Sequence, residues 1–192
     1  AVILNLPLPL FAAQLLWLNL VTNGIQDISL SFESGEKGVM NRPPRSPKEN
    51  IFDKLMTQQT LISGLFIGAI SFVVWYYLLE VLNWEESLAR NFLLMLMVFF
   101  QNIHALNCRS ESNSTFKMPI KRNLLIFVGI LSAQLLHIFA TYNPFLRKVL
   151  NTQPISLEEW FYLLLISSSV LWIMEIFKIV KKKMKNNFSK NV

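Results

Sequence analysis

The stretch LWLNLVTNGIQDISL, residues 16–30, is part of a long apolar run that polar side chains interrupt at regular intervals. Asn19, Asn23 and Asp27 follow one another at intervals of four residues, so on a helix they would share one face. The surrounding apolar segment, residues 8–32, is long enough to cross a bilayer, which takes roughly 20 residues. Polar groups at membrane depth are costly, and a function is therefore predicted for this face.

The composition of the whole chain is that of a membrane protein. Of its 192 residues, 53% are hydrophobic and 16% are charged, whereas a soluble domain carries about a quarter charged residues. This balance excludes a disordered chain and argues against an ordinary soluble domain. The apolar runs are continuous rather than alternating, which predicts helices and not strands. The predicted fold is all-α, a polytopic membrane helix bundle of five spanning helices with short loops, at residues 8–32, 60–82, 91–107, 123–142 and 160–180.

Basic residues are concentrated in three regions of the chain. Fifteen of the 18 Lys and Arg residues lie between the first and second spans, between the third and fourth, or at the C-terminal end. Since basic residues mark the cytoplasmic side, the C-terminus is predicted to be cytoplasmic and the N-terminus outside. The lysine-rich end could also suggest a nucleic-acid patch, but a basic run beside a membrane helix favours anionic headgroups. The net charge of +6 thus indicates topology, with membrane lipid as a partner and no nucleic acid.

The start of the chain predicts a preceding segment. The chain begins with Ala1, and residues 1–6 are too short to span a bilayer, so they are expected to be the tail of an earlier helix that Pro7 and Pro9 end. A signal peptide is not predicted, because no basic residue precedes Asn19 and no small-residue cleavage pattern follows a short apolar core. We therefore expect a piece of a longer protein. The compact loops favour a bacterial inner (plasma) membrane.

Residues beside the polar face complete a pattern typical of cation binding. Thr22 and Gln26 lie next to it, and Gly24 permits local unwinding that exposes carbonyl oxygens. Such oxygen ligands suit hard cations. Gln101, in the middle of the third span, is a candidate to complete the site. The alternative is that all these groups only hydrogen-bond one helix to another.

The histidines and the cysteine do not predict a soft-metal site, which needs several Cys or His ligands. Cys108 is the only cysteine and lies at a loop boundary, and His137 has no Cys or His nearby in the sequence. His104 is predicted to be a hydrogen-bonded packing residue. The ion that the candidate site would hold is left open.

Two further patterns concern packing and catalysis. Gly64 and Gly68 have the GxxxG spacing, which lets helices approach closely and predicts a packing groove for another helix. The longest loop, residues 33–57, has proline-rich turns at 42–45 and is too short for a catalytic domain. The sequence has no phosphate-binding glycine loop and no plausible nucleophile–base pair. No catalytic residue is therefore predicted in this chain.

Three stretches carry a resemblance to a known family. LWLNLVTNGIQDISLSFESGEKGVMNRPPR, residues 16–45, resembles the sixth transmembrane helix and following loop of type II P-type cation-transporting ATPases, which include the calcium and sodium/potassium pumps. HALNCRSESNSTFKMP, residues 104–119, resembles the stretch after the family's eighth helix, and MEIFKIVKKK, residues 174–183, the end of its tenth. The resemblance implies that residues 1–192 are the family's C-terminal transmembrane domain: the end of helix five, then helices six to ten, without the catalytic cytoplasmic domains.

The resemblance also implies which residues bind the ion. Asn19, Thr22 and Asn23 match helix-six ligands of the calcium pumps, and Gln101 matches the ligand on helix eight. This chain departs from the calcium-pump pattern, since Asn23 replaces the usual Asp, Gln101 replaces a Glu, and Asp27 stands where those pumps have a small residue. A site of lower negative charge favours a divalent ion less. The transported cation is expected to be calcium, sodium or another ion.

The family's ATP-binding and phosphorylation domains precede this region, so the chain alone is expected to hold no cofactor. ATP and magnesium would act only in a full-length pump, and the expected partner is the upstream part of that pump. Two alternatives stay open: a non-enzymatic membrane remnant or pump-interacting helical protein, and a small passive channel.

Overall fold

The computed structural model describes residues 1, 4–35, 44 and 52–190, with side chains described as far as residue 184. Within these ranges the regular secondary structure is entirely helical, which confirms the predicted all-α class. The predicted proline-rich turns at 42–45 lie outside the described residues except for Pro44, and so do Lys37 and Lys48.

The polar stretch that opens the sequence forms one helix of mixed type. It begins as α1 (Ala12–Trp17), widens into a π-helix (Leu18–Asn23), and continues as α2 (Gly24–Ser31). The backbone stays in the right-handed helical region at both junctions, with φ −57° and ψ −46° at Leu18 and φ −57° and ψ −44° at Gly24. We call residues 12–31 the composite helix.

The remaining helices begin where capping residues or prolines favour a helix start. Asp53 accepts a hydrogen bond from the Met56 amide at 2.7 Å, and Asn123 accepts one from the Ile126 amide at 3.2 Å. Asn143 caps a short helix that has a proline in its first turn. These side chains satisfy amides that a helix start leaves without partners. The helices are α3 (Lys54–Tyr76, continued as a π-helix over Tyr77–Val81), α4 (Glu86–Cys108), α5 (Leu124–Tyr142), α6 (Pro144–Leu150) and α7 (Leu157–Lys190).

Four helices of the described part are long and apolar enough to cross a membrane. They correspond to four of the five predicted spans and cover Lys54–Val81, Glu86–Cys108, Leu124–Tyr142 and Leu157–Met184. The predicted first span, residues 8–32, is helical over residues 12–31 but is not one of the four. Its polar side chains, which make it a candidate site, also lower its mean hydropathy.

Helix α4 is the centre of the bundle. Its apolar stretch is 67% buried, against 17% for α3 and 33% each for α5 and α7. Phe100, Leu96 and Ala89 of α4 are fully buried and belong to a core that also contains Trp75 of α3 and Leu163 of α7. The composite helix packs on the other side, against α4 and α5.

A glycine permits the close approach of α2 and α5. A Cβ atom at Gly129 would lie 2.2 Å from the Ser29 hydroxyl and 3.0 Å from the Ser29 Cβ, so no larger residue fits without movement. By contrast, a Cβ at Gly64 or Gly68 would meet nothing within 4 Å in the described part of the chain. The two glycines with GxxxG spacing therefore face open space here, whereas Gly129, which lies at a close contact between two helices, belongs to no such motif.

Candidate functional site

The composite helix has an outer and an inner face. We define the outer stripe as Asn19, Asn23 and Asp27. Within it, the Asn23 side-chain amide donates to Asn19 Oδ1 at 3.2 Å, as the four-residue spacing predicts. Asn19 and Asp27 are exposed and Asn23 is half-buried. The stripe presents two amides and one carboxylate to the outside of the described bundle.

The inner face brings a second set of predicted site residues together. Thr22 is fully buried, and its hydroxyl contacts both the Leu18 carbonyl oxygen and Gln101 Oε1 of α4. The hydroxyl has one proton, so it can donate to only one of these two acceptors at a time. Three oxygen atoms from two helices thus converge at Thr22. Oxygen clusters of this composition are what a hard cation takes as ligands.

The backbone next to these oxygen atoms is irregular, but it forms a π-helical turn before Gly24 and not the unwound segment that the sequence predicts at Gly24. The expected unwinding at Gly24 is absent, because Gly24 keeps helical angles and its amide donates to the Asn19 carbonyl five residues earlier. The irregularity is the π-helical turn over Leu18–Asn23, which ends just before Gly24. π-Helical turns are rare and occur frequently at functional sites. The turn contains three of the five predicted site residues.

One helical turn after Thr22, a network of side-chain amides links three helices. Gln26 Nε2 donates to Asn102 Oδ1 at 2.6 Å, and Asn102 Nδ2 donates to Gln134 Oε1 of α5 at 2.9 Å. Gln134 Nε2 in turn lies 3.7 Å from the Met95 sulfur. Gln26 and Asn102 are each 4% exposed, and their polar groups bond each other. Gln26 and Asn102 therefore match the alternative prediction, in which the polar groups only hydrogen-bond one helix to another.

Two more contacts of the composite helix were not found from the sequence. Trp17 Nε1 donates to His137 Nδ1 of α5 at 3.0 Å, and Gln14 Nε2 donates to the Leu150 carbonyl of α6 at 2.9 Å. Gln14 and His137 are both almost fully buried. Their partners are more than a hundred residues away in the chain, which no local pattern signals. His104, predicted to be hydrogen-bonded, has a buried Nδ1 without a partner in the described part.

The donor chemistry favours hard cations. The described residues contain no group of three His, Cys, Asp or Glu side chains that could hold a metal. The candidate ligands are amide and hydroxyl oxygens with one carboxylate, Asp27, and they are the types that calcium and magnesium accept. The five predicted site residues fall into two sets: Thr22 with Gln101 between helices, and the outer stripe.

The described bundle has four helices that are long and apolar enough to span a membrane, with oxygen ligands between its helices. It is therefore an integral membrane protein. The family follows from comparison with known proteins. Residues 7–180 match the family described as "Cation transporting ATPase, C-terminus", and the chain belongs to that family. The resemblance stated from the three sequence stretches is thereby confirmed.

Similar proteins are calcium-transporting ATPases by name. The chain is 31% identical over 187 residues to the "Calcium-transporting ATPase" of Bacillus subtilis, an alignment that covers 95% of this chain and 20% of the relative. It is 32% identical over 184 residues to the human "Calcium-transporting ATPase type 2C member 1", with 95% and 20% covered. For "Calcium-transporting ATPase 1" of Schizosaccharomyces pombe, identity is 34% over 178 residues, with 91% and 19% covered. The chain spans about one fifth of the length of these relatives.

Proposed function

We propose that this chain is the C-terminal membrane part of an ATP-driven cation pump and supplies part of its intramembrane cation site. The proposal rests on the contact of Thr22 with Gln101, because this contact brings oxygen ligands from two helices together beside a π-helical turn. ATP and magnesium act in other domains of such a pump. The residues of this chain bind and orient the transported ion, and none of them is catalytic.

The outer stripe supports an upstream partner. Asn19 and Asp27 are exposed on a helix whose neighbouring side chains, such as Leu20 and Ile28, are also exposed. Amides and a carboxylate facing lipid at membrane depth are costly, so another part of the pump covers this face. With that cover, the composite helix is the first of five spans, and residues 1–192 comprise the end of helix five and helices six to ten.

The open face of α3 fits the same arrangement. Gly64 and Gly68 lie on one side of that helix, and an added Cβ would meet nothing within 4 Å among the described residues. Small residues at this spacing allow a second helix to approach closely. We place a helix of the upstream part there, while the remaining apolar surface of the bundle contacts membrane lipid.

Calcium is the first cation to test, because the named relatives are calcium-transporting ATPases. The candidate ligands of this chain include one carboxylate, Asp27, and the amides of Asn23 and Gln101. Ligand charge tunes the affinity for calcium. Sodium, which needs less negative charge in its site, is the second ion to test.

The test uses a chimera in which this chain replaces the aligned fifth of the Bacillus subtilis relative. Asn19, Asn23, Asp27 and Gln101 are each changed to Ala, and cation-stimulated ATP hydrolysis is measured over a range of calcium and sodium concentrations. We expect weaker apparent cation affinity because each substitution removes an oxygen ligand. The control is Ser168→Ala, since the Ser168 hydroxyl is exposed and bonds to the Leu165 carbonyl of its own helix.

Unchanged cation affinity in all four variants contradicts the site assignment. A fall in the Ser168→Ala control as large as in the site variants contradicts it too, because any membrane substitution would then have the same effect. The response to calcium against sodium identifies the ion.

The orientation is a separate proposal: C-terminus cytoplasmic, N-terminus outside, in a bacterial inner membrane. Its support is that basic residues follow α4, lie in the C-terminal part of α7, and precede α3 and α5. Glu111→Cys in a Cys108→Ser background places a single thiol in the exposed α4–α5 loop. We expect an impermeant maleimide to label it in inside-out vesicles only. Labelling from the outside of intact cells contradicts the orientation.

A further inference from the structure

A carboxylate just after the composite helix lies between two arginines. Arg109 Nε lies 3.0 Å from Glu33 Oε2, and Arg109 Nη2 lies 3.3 Å from Oε1, so this pair is bidentate. Arg122 Nε lies 2.9 Å from the same Oε1. The three side chains are only 2%, 11% and 18% exposed for Arg109, Glu33 and Arg122. Such charge-assisted bidentate pairs are among the stronger and geometrically more specific hydrogen bonds of proteins.

Backbone contacts reinforce the same junction. Arg122 donates to the Ser34 carbonyl, and the Ser34 hydroxyl donates back to the Arg122 carbonyl at 3.2 Å. Asn123 Nδ2 donates to the Ser29 carbonyl in the last turn of α2 at 2.9 Å. The α4–α5 loop, residues 109–123, therefore holds the end of the composite helix through both side-chain and backbone groups.

The far side of this loop is attached to α7. Glu175 accepts a hydrogen bond from the Thr115 amide at 2.7 Å. The buried Lys178 donates to the Asn107 carbonyl in the last turn of α4 at 2.9 Å. Because α7 also packs along α4, the loop is a fixed support rather than a loose connection.

The junction continues a series of contacts between the composite helix and α4. Thr22 meets Gln101, Gln26 meets Asn102, and Glu33 meets Arg109. Seven residues separate the second contact from the third on both partners, a distance of about 10 Å along a helix. Only the third contact is charged and bidentate. Amide contacts can re-form after a small sliding or rotation, whereas a bidentate ion pair tolerates one geometry.

We propose that Glu33 is a positioning residue for the candidate cation site. Held by Arg109 and Arg122, it determines the axial position and rotation of the composite helix against α4. Thr22 consequently stays beside Gln101. This role rests on the proposed function of that site, although Glu33 itself contacts no candidate ligand.

Cross-linking in membranes tests the geometry directly. Cys108→Ser removes the only cysteine of the chain, so introduced pairs can be read without background. The reporter pair is Thr22→Cys with Gln101→Cys. The control pair is Ser71→Cys with Met97→Cys, because Ser71 and Met97 join α3 and α4 at 3.2 Å, away from the junction. Both pairs are treated with a short bis-methanethiosulfonate reagent, with and without Glu33→Gln.

We expect Glu33→Gln to slow cross-linking of the reporter pair roughly fivefold, the lower end of couplings between separate sites. The control pair should react at its original rate. Glu111→Gln, the same chemical change at an exposed position of the same loop, should affect neither pair. An unchanged reporter rate overturns the proposal. An equal slowing of both pairs also overturns it, since Glu33 would then support the fold in general.

A second measurement, the apparent cation affinity, tests whether the position of the composite helix affects ion binding. In the chimeric pump, Glu33→Gln should weaken apparent cation affinity by roughly fivefold, with a smaller change in maximal ATP hydrolysis. If Thr22→Ala and Gln101→Ala weaken cation affinity but Glu33→Gln does not, the positioning role is wrong. If these three and the Asn19→Ala, Asn23→Ala and Asp27→Ala variants all leave affinity unchanged, the proposed function fails instead, and the cross-linking rates alone decide whether Glu33 positions the helix.

Discussion

The two faces of the composite helix differ in how their polar groups are satisfied. On the inner face, Gln14, Trp17 and Gln26 each donate to a group on another helix. On the outer face, Asn23 bonds Asn19 of its own helix, and Asp27 is exposed. The inner face therefore determines the position of the helix, and the outer face leaves its polar groups open to a ligand or to a further protein segment.

Thr22 lies on the inner face but differs from its neighbours. Its hydroxyl contacts two acceptors, whereas Gln26 and Asn102 form donor–acceptor pairs. Polar residues that lie close together thus differ in role, packing or candidate ion binding, according to whether their hydrogen-bond partners satisfy them. Substitutions on each face, measured on this chain in detergent, test this difference between the two faces.

The largest effect is expected where the inner face meets α5. Gly129→Ala places a methyl group against Ser29, and overpacking of this kind costs about 1–3 kcal/mol in the free energy of unfolding. Thermal unfolding followed by tryptophan fluorescence measures it. The double variant Gly129→Ala with Ser29→Gly should recover part of the loss. Full stability of Gly129→Ala would mean that the two helices are not in close contact.

The next effect compares Asn102 of α4, the partner of the inner face, with Asn23 on the outer face. Asn102→Leu breaks the bonds to Gln26 and Gln134, and hydrogen bonds between membrane helices contribute about 1–2 kcal/mol in model peptides. Asn23→Leu on the outer face should change the free energy of unfolding by no more than about 0.5 kcal/mol. Denaturant titration of both variants measures the difference. Equal losses would contradict the division into two faces.

A smaller effect is expected at the contact between Trp17 and His137. Trp17→Phe keeps an aromatic ring but removes the donor to His137 Nδ1, which should cost about 0.5–1.5 kcal/mol. Trp172→Phe is the matched control, since Trp172 is 59% exposed on α7. Chemical shifts of the His137 ring show whether the hydrogen bond is lost. A larger loss in the control than at Trp17 would argue against an anchoring role of this bond.

The smallest effect is expected at the glycines of α3. Gly64→Ala and Gly68→Ala should change the stability of the chain by less than about 0.5 kcal/mol, because the added methyl groups meet no atom of the described bundle. In the chimeric pump, the same changes should reduce the yield of folded protein, because the proposed upstream helix would pack on this face. Size-exclusion profiles of both proteins make the comparison.

The fold class and the spans follow largely from the sequence. Long continuous apolar runs form helices in a membrane whatever their neighbours, so α3, α4, α5 and α7 coincide with four predicted spans. The composite helix was predicted as a helix, but its polar residues leave it outside the four helices that qualify by hydropathy. Its π-helical turn has no signature in the sequence, because it depends on hydrogen-bond register rather than on residue type.

The sequence predicts which polar residues are candidates for the site, but not which of them contact residues of another helix. The spacing of Asn19 and Asn23 predicts their contact, since both belong to one helix. The contact of Thr22 with Gln101 joins residues 79 positions apart, and the pairing of Glu33 with Arg109 joins residues 76 apart. Periodicity contains no information about such pairs.

Because hydropathy and i, i+4 spacing act locally along the chain, they are enough to predict a helical membrane protein with oxygen ligands at membrane depth. Which of these oxygen ligands face another helix and which stay open depends on the tertiary structure. It also decided that Gly129, rather than Gly64 or Gly68, is the close contact within the described bundle. The physical reason is that the rotation of each helix about its axis is determined by packing against its neighbours, and that rotation assigns every polar side chain to one face or the other.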